Sequence, residues 1–170
     1  MRYLIIDTNV PLKAADVHPD DEIDRRCSLA CLDFIKKLME SDDVVVLDQG
    51  REIVNEYRRN INTDLEDNVA SQFLMWLFRN MMTGKVALYN ITKTGDNTYA
   101  EYPDSPELEH FDRSDRKFVA LANAHPQHPD IYNGADTDWW DYREALERAG
   151  IHVVFLSEEY MRAKSKGSSQ

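Results

Sequence analysis

The sequence contains no long hydrophobic run and little cysteine, and each deficit excludes a class of protein. No apolar stretch approaches the roughly 18 residues that a membrane span requires, and the N-terminus lacks the basic flank and cleavage pattern of a signal peptide. The two cysteines, Cys27 and Cys31, are four residues apart in a helical pattern, which favours buried thiols over a disulfide. These features predict a cytoplasmic protein with no membrane segment.

Basic residues are scarce relative to acidic ones. The chain has 20 Lys and Arg against 31 Asp and Glu, a formal charge of -11. Because non-specific binding to nucleic acid depends on neutralising phosphates with Lys and Arg, this balance argues against a protein that coats DNA. The same balance is compatible with a nuclease, because acidic residues that converge on one site repel one another until cations bind there. We expect a basic protein partner, or a second subunit in a homodimer, to help bring in a polyanion.

Glycine and proline are also few, with six of each, and no linker, repeat or low-complexity segment divides the chain. With 170 residues and 42% apolar composition, the chain can bury a core as one domain. We place that domain at residues 1–160, followed by a disordered tail at 161–170. The sequence has no glycine-rich phosphate loop, and the pair His125 and His128 lacks a further nitrogen or sulfur ligand for zinc.

Short apolar runs alternate with helical patterns along the chain. The expected strands are residues 3–6, 44–48, a segment within 85–91, 129–132 and 152–156, and the expected helices are residues 20–40, a segment containing 53–61, 65–81, a segment from 114 to before 126, and 136–149. Because each crossover is long enough to hold a helix, we expect an α/β fold, a three-layer α/β/α sandwich with a five-stranded parallel sheet. The polar segment 92–114 shows no sustained period, and we expect an extended loop that gates or lines a substrate groove.

Acidic residues follow four of these predicted strands. They are Asp7 after the first strand, Glu56 on the helix after the second, Asp112 and Asp115 at the start of the helix after the third, and Asp136 and Asp138 after the fourth. The carboxyl ends of parallel strands meet at one edge of a sheet, so we expect these carboxylates to converge and to need either raised pKa values or bound cations. Oxygen donors without a Cys or His ligand set favour Mg²⁺ or Mn²⁺.

Each acid also fits a local structural role. Asp7 and Asn9 could shape a turn into Pro11, and Glu56 could form an exposed helical pair. Asp112, Asp115 and Asp136 are all suited to capping helix N-termini. The coincidence of all these acids at one sheet edge favours a shared metal site over separate local roles.

Four segments carry a resemblance to a known family. They are Ile5–Asn9, Ile53–Tyr57, Ser114–Ala122 and Asp136–Trp139. These segments resemble the four acidic motifs of the PIN-domain ribonucleases, and the resemblance covers roughly residues 1–156. It implies a PIN-like fold, a magnesium- or manganese-dependent activity on RNA and, for many bacterial members, a toxin or effector nuclease neutralised by a protein partner.

The resemblance also implies roles for individual residues. It gives the catalytic and metal-binding roles to Asp7, Glu56, Asp115 and Asp136, with Asp138 and Asp112 open as alternative ligands, and the substrate-binding roles beside the first acid to Thr8 and Asn9. Three basic residues lie nearest to an acid in the sequence, namely Arg113, Arg116 and Lys117. We expect them either to bind the RNA strand at the rim or to form a solvated helix face.

The sequence therefore predicts a metal-dependent endoribonuclease, in which bound cations lower the pKa of water and bridge the attacking and leaving oxygens. One alternative is a catalytically inactive PIN-like binding or scaffold module. Another is an Asp phosphoacceptor signalling domain, which is less well supported because it needs no acid after the second and fourth strands. It also needs a lysine at a strand end, whereas the fifth predicted strand ends in Leu156 and Ser157.

Overall fold

A computed structural model describes residues 1–64 and 68–168 of the chain, with side chains as far as residue 165. Within these residues the strands are β1 (Tyr3–Ile6), β2 (Val44–Asp48), β3 (Val86–Tyr89), β4 (Lys93–Gly95), β5 (Thr98–Tyr99), β6 (Asp130–Asn133) and β7 (Val153–Phe155). Five of them form one sheet in the order β3-β2-β1-β6-β7, and every neighbouring pair is parallel. The predicted fold class is confirmed.

Helices cover the sheet and complete the three layers. They are α1 (Asn9–Ala14), α2 (Glu22–Glu40), α3 (Glu52–Asn60), α4 (Val69–Asn80), α5 (Arg116–Ala124), α6 (Thr137–Asp141), α7 (Arg143–Arg148) and α8 (Glu158–Ser168). Local chemistry sets several of their starts: the Asp21 side chain accepts a hydrogen bond from the backbone of Asp24 to cap α2, and Asn68 caps α4. No helix in the described ranges is both long enough and apolar enough to cross a membrane.

The two central strands are buried because both faces of the sheet are covered. All five residues of β2 are buried, from Val44 to Asp48, as expected for a continuous β-branched run between two helical layers. Strand β1 lies at the middle of the sheet, where Leu4 pairs with Val45 on one side and Asp130 on the other. The chain that leaves β1 therefore emerges at the centre of the carboxyl edge.

Two predicted boundaries differ from the structure, and a third is not described by it. The helix expected over 136–149 is divided into α6 and α7 around Tyr142, a residue whose backbone is not helical. The tail expected to be disordered from residue 161 is helical as far as Ser168, and Met161 is fully buried. The start of the helix expected at Leu65 lies outside the described residues.

The segment 92–114 is not the extended loop that the sequence predicts, and its predicted role in gating or lining a substrate groove stays a prediction. Strands β4 and β5 form an antiparallel hairpin in it, and the side chains of Tyr99, Leu108 and Phe111 are buried in the core. The Phe111 ring packs edge-on against Trp139 at 5.0 Å. This segment therefore packs against the core. The sequence did not indicate this, because the segment is mostly polar and its three buried residues follow neither a helical nor a strand period.

Candidate metal centre

Three aspartates from three separate connections meet at the carboxyl edge of the sheet. Asp7 follows β1, Asp115 ends a short 3₁₀ turn that leads into α5, and Asp136 caps α6 after β6. One carboxylate oxygen from each lies within 4.8 Å of those of the other two. Asp7 and Asp115 are only 3% and 7% exposed, and Asp136 is partly buried. We call these residues the aspartate cluster.

Hydrogen bonds from β6 and α1 fix the position of Asp7. Its backbone N–H donates to the carbonyl of Tyr132 at 3.0 Å. Its Oδ2 accepts from Asn133 Nδ2 at 3.0 Å and from Asn9 Nδ2. These bonds orient the Asp7 carboxylate towards the N-terminal ends of α5 and α6, where the other two members of the cluster lie.

The remaining two acids differ in how their oxygens are satisfied. Asp136 accepts from the backbone N–H of Asp138 at 3.0 Å and so caps α6. Asp115 Oδ2 is buried and has no hydrogen-bond partner among the described residues. A buried carboxylate oxygen without a partner is costly, and a bound cation would satisfy it.

Burial raises the pKa values of all three acids, and repulsion from other members of the cluster adds to the effect for Asp7 and Asp115. Burial, together with the charges of Asp136 and Glu56, raises the pKa of Asp7 to about 8. Burial raises the pKa of Asp115 to about 9, and the charges of Asp7 and Asp136 add to the effect. Burial likewise raises the pKa of Asp136. Without a cation, the cluster therefore retains protons near neutral pH.

Glu56, predicted to be a metal ligand, lies beside the cluster and is already paired. Its Oε1 accepts from Lys117 Nζ at 2.9 Å, and its Oε2 accepts from the hydroxyl of Thr8. Lys117 also donates to the carbonyl of Ser114 and is only 4% exposed. The prediction that Lys117 lies at the rim or on a solvated face is wrong, because its ammonium is buried against Glu56.

The structure separates the acids that the sequence left as alternatives. Asp112 is exposed and uses Oδ1 to accept from the backbone N–H and the hydroxyl of Ser114, both at 2.9 Å. Asp138 is outside the group of converging oxygens, although burial raises its pKa as well. Asp115 and Asp136 are therefore the members of these pairs that join Asp7.

Asn9 is an internal tie between β1 and β6. Its Oδ1 accepts from the backbone N–H groups of Gly134 and Ala135 at 2.7 and 3.0 Å. Gly134 is required by this close approach, because a Cβ there would lie 2.9 Å from Cys31 Sγ and 3.1 Å from Asn9 Oδ1. The sequence did not identify Asn133, whose Nδ2 donates to Asp7 Oδ2, although an amide at the end of a strand of the same sheet is a signal that could have found it.

Of the two arginines predicted to bind the RNA strand, one is already engaged in contacts within the protein and the other is exposed. Arg116 donates to the carbonyls of Glu109 and Phe111 and lies over the Tyr102 ring at 4.7 Å, so it holds the preceding segment. Arg113 is exposed and makes no ion pair with any described residue. Of the basic residues predicted for the rim, Arg113 has the free side chain.

The aspartate cluster fits a hard divalent cation. Two oxygens bound to one Mg²⁺ at about 2.1 Å are at most about 4.2 Å apart; the three ligand oxygens lie within 4.8 Å of one another, close enough that small side-chain shifts bring them onto one ion. The donor set is entirely carboxylate, as Mg²⁺ and Mn²⁺ prefer. No protein-family model, curated protein or solved structure matches this chain. The site is therefore defined by its own geometry as a buried tri-carboxylate centre at the carboxyl edge of a parallel sheet.

Proposed function

We propose that the chain is a metal-dependent endoribonuclease that hydrolyses RNA phosphodiester bonds with Mg²⁺ or Mn²⁺. The observation that carries the proposal is the convergence of Asp7, Asp115 and Asp136 with one buried carboxylate oxygen left without a partner. Open α/β sheets bind ligands at this edge. The resemblance of the acidic segments to PIN-domain ribonucleases selects RNA as the substrate.

The roles of the residues follow from their contacts. Asp7, Asp115 and Asp136 would hold the cation, which when bound lowers the pKa of water and stabilises charge on the phosphoryl oxygens. Asn9 and Asn133 orient the carboxylate of Asp7. The ion pair of Glu56 and Lys117 lies next to the cluster and places one fixed negative and one fixed positive charge there.

The two rival functions receive less support from this geometry. A scaffold module has no need for three buried acids whose repulsion destabilises the fold, and a phosphoacceptor domain needs a lysine free to contact a phosphoryl group. Lys117, the buried lysine at this edge, is engaged by Glu56 and by the carbonyl of Ser114. The net charge of -11 supports a basic, antitoxin-like protein partner as part of the proposal, and a homodimer is the alternative.

The test combines metal binding with cleavage. Purified protein is incubated with single-stranded and structured RNAs in Mn²⁺, Mg²⁺ or chelator, and Mn²⁺ binding is measured by calorimetry. Asp136→Asn should lower both cleavage and Mn²⁺ affinity by orders of magnitude because a ligand is lost. The matched control is Asp112→Asn, which removes the same charge from an exposed acid outside the cluster and should retain both. Metal-independent cleavage, or equal loss in both variants, would contradict the proposal.

A further inference from the structure

A cavity of about 370 Å³ lies next to the edge strand of the sheet, between the end of β2, helix α3, the end of α4 and β3. Its floor is apolar and includes Phe78, Met81 and Leu88. Phe78 and Leu88 are 40% and 49% exposed. Large apolar side chains that remain accessible in one concave surface mark a binding site, and the volume is within the range of small-ligand pockets. We call this feature the β3-edge cavity.

The charges around the β3-edge cavity are opposite to those of the protein as a whole. Arg51 and Arg58 line it, both are exposed, and neither forms an ion pair with any described residue. The acid in the lining, Asp48, is occupied: its two oxygens accept the backbone N–H groups of Glu52 and Ile53 at 2.8 and 2.9 Å. In a chain of net charge -11, two free guanidinium groups around an apolar floor select an anion with a flat apolar part.

The backbone supports a role for Arg51 in binding. Its φ of 65° lies in the left-handed region, which non-glycine residues adopt at a cost. Residues held in such conformations cluster at ligand-binding positions. Here the conformation places the arginine at the turn between β2 and α3, where its side chain lines the cavity.

The β3-edge cavity includes the end of β2, the strand next to the one that leads to Asp7. Strand β2 pairs with β1 in parallel, Asp48 ends β2 and Asp7 directly follows β1, so both acids stand at the carboxyl ends of neighbouring strands. Neighbouring strands are about 4.8 Å apart. A strand of nucleic acid that crosses the carboxyl edge at Asp7 can therefore extend over β2 into this cavity.

A second cavity, at the opposite edge, lacks this combination. It is lined by Trp140 with Arg143 and Arg162, but Arg162 pairs with Glu158 at 2.9 Å and Arg143 lies 3.9 Å from Glu144. Its cations are therefore already compensated. The free arginines favour the β3-edge cavity as the anion site.

We propose that the β3-edge cavity is a subsite for one nucleotide of single-stranded RNA. The base of this nucleotide lies against Phe78, Met81 and Leu88. The backbone phosphates on its two sides pair with Arg51 and Arg58. Stacking on an aromatic ring tolerates every base, so the subsite selects an unpaired nucleotide and not a particular sequence. The choice of RNA rests on the proposed function, but binding here requires neither metal nor cleavage.

The first experiment measures binding of the full chain to a fluorescent hexaadenylate by anisotropy in chelator, where cleavage is absent. Arg58→Glu should weaken binding about tenfold and reduce the slope of log affinity against log salt by about 0.7 per phosphate contact. The matched control is Lys36→Glu, which makes the same charge change at an exposed position of α2 and should have a much smaller effect. Equal effects of the two variants would overturn the phosphate contacts.

The second experiment separates a base from any other anionic ligand. The parent should prefer hexaadenylate over an abasic ribose-phosphate hexamer by about tenfold, and Phe78→Leu, which keeps apolar volume but removes the aromatic face, should lose most of that preference. Equal affinity of the parent for both strands would overturn the nucleotide subsite, and metal-dependent cleavage would still stand. Retained base preference without any cleavage would overturn the nuclease and not the subsite.

Discussion

Replacing Asp115 with asparagine should flatten the pH dependence of stability in the metal-free protein. The pKa of Asp115 is raised to about 9 and that of Asp7 to about 8, whereas an unfolded aspartate titrates near 3.9. Between the unfolded and folded pKa values, the folded state binds more protons than the unfolded chain. Stability in chelator therefore falls as pH rises through this window and stops falling above the folded pKa.

The size of the effect follows from proton counting. Each additional proton bound by the folded state changes the free energy of unfolding by about 1.4 kcal/mol per pH unit. From pH 5 to pH 7, one proton held by the cluster corresponds to about 3 kcal/mol, or roughly 6 to 12 °C in Tm for a chain of this size. An asparagine at position 115 cannot bind this proton. Between pH 5 and pH 7 the free energy of unfolding of Asp115→Asn should therefore fall by about 3 kcal/mol less than that of the parent.

Urea unfolding in chelator at pH 5, 6 and 7, followed by tryptophan fluorescence, measures this difference of slopes. Asp112→Asn is the matched control and should keep the parental slope, because Asp112 is exposed and an asparagine preserves its cap. Added Mn²⁺ should stabilise the parent by mass action and Asp115→Asn much less. A parent equally stable at pH 5 and pH 7, or a variant with the parental slope, would refute the reasoning.

Three further substitutions test how the site is held, each by urea unfolding at pH 7. Asn9→Ala removes the acceptor of two backbone N–H groups and should cost about 2 kcal/mol; a loss below about 0.5 kcal/mol would show that the tie is dispensable. Gly134→Ala places a Cβ 2.9 Å from the sulfur of Cys31 and should cost about 1–3 kcal/mol, but less when combined with Cys31→Ala, whereas additive losses would exclude the clash. Lys117→Met leaves the partly buried Glu56 without its cation and should cost about 3–5 kcal/mol. Glu56→Gln in the same chain should recover most of that loss, and a failure to recover it would refute the pairing.

The sheet could be predicted from the sequence because its strands are short apolar runs separated by helical periods. The elements that escaped prediction are those whose local pattern is too short or too mixed to show a period. Helix α1 has six residues, less than two turns, and the hairpin of β4 and β5 includes strands of three and two residues. In these segments packing against the core, and not local periodicity, determines the structure.

Within the site, the sequence indicated which edge the acids share but not which acids meet. Asp112 and Asp115 lie one turn apart, and only the direction of the 3₁₀ turn brings Asp115 inward. Lys117 lies 61 residues from Glu56, and a lysine beside an inward-facing phenylalanine on a helix reads as exposed unless that distant partner is known. Long-range pairing of buried charges leaves no local signature in a sequence.

Because the chain is synthesised from its N-terminal side, the aspartate cluster can form only after its last member has been made. Asp136 is made 129 residues after Asp7, so the centre cannot exist until the chain between them has been translated. At 5–20 residues per second, that interval is about 6 to 26 s. Strand β1 also waits for β6, its second neighbour in the sheet. Under the proposed function, the messenger RNA being read at that ribosome is protected from cleavage by the growing chain until this interval has passed.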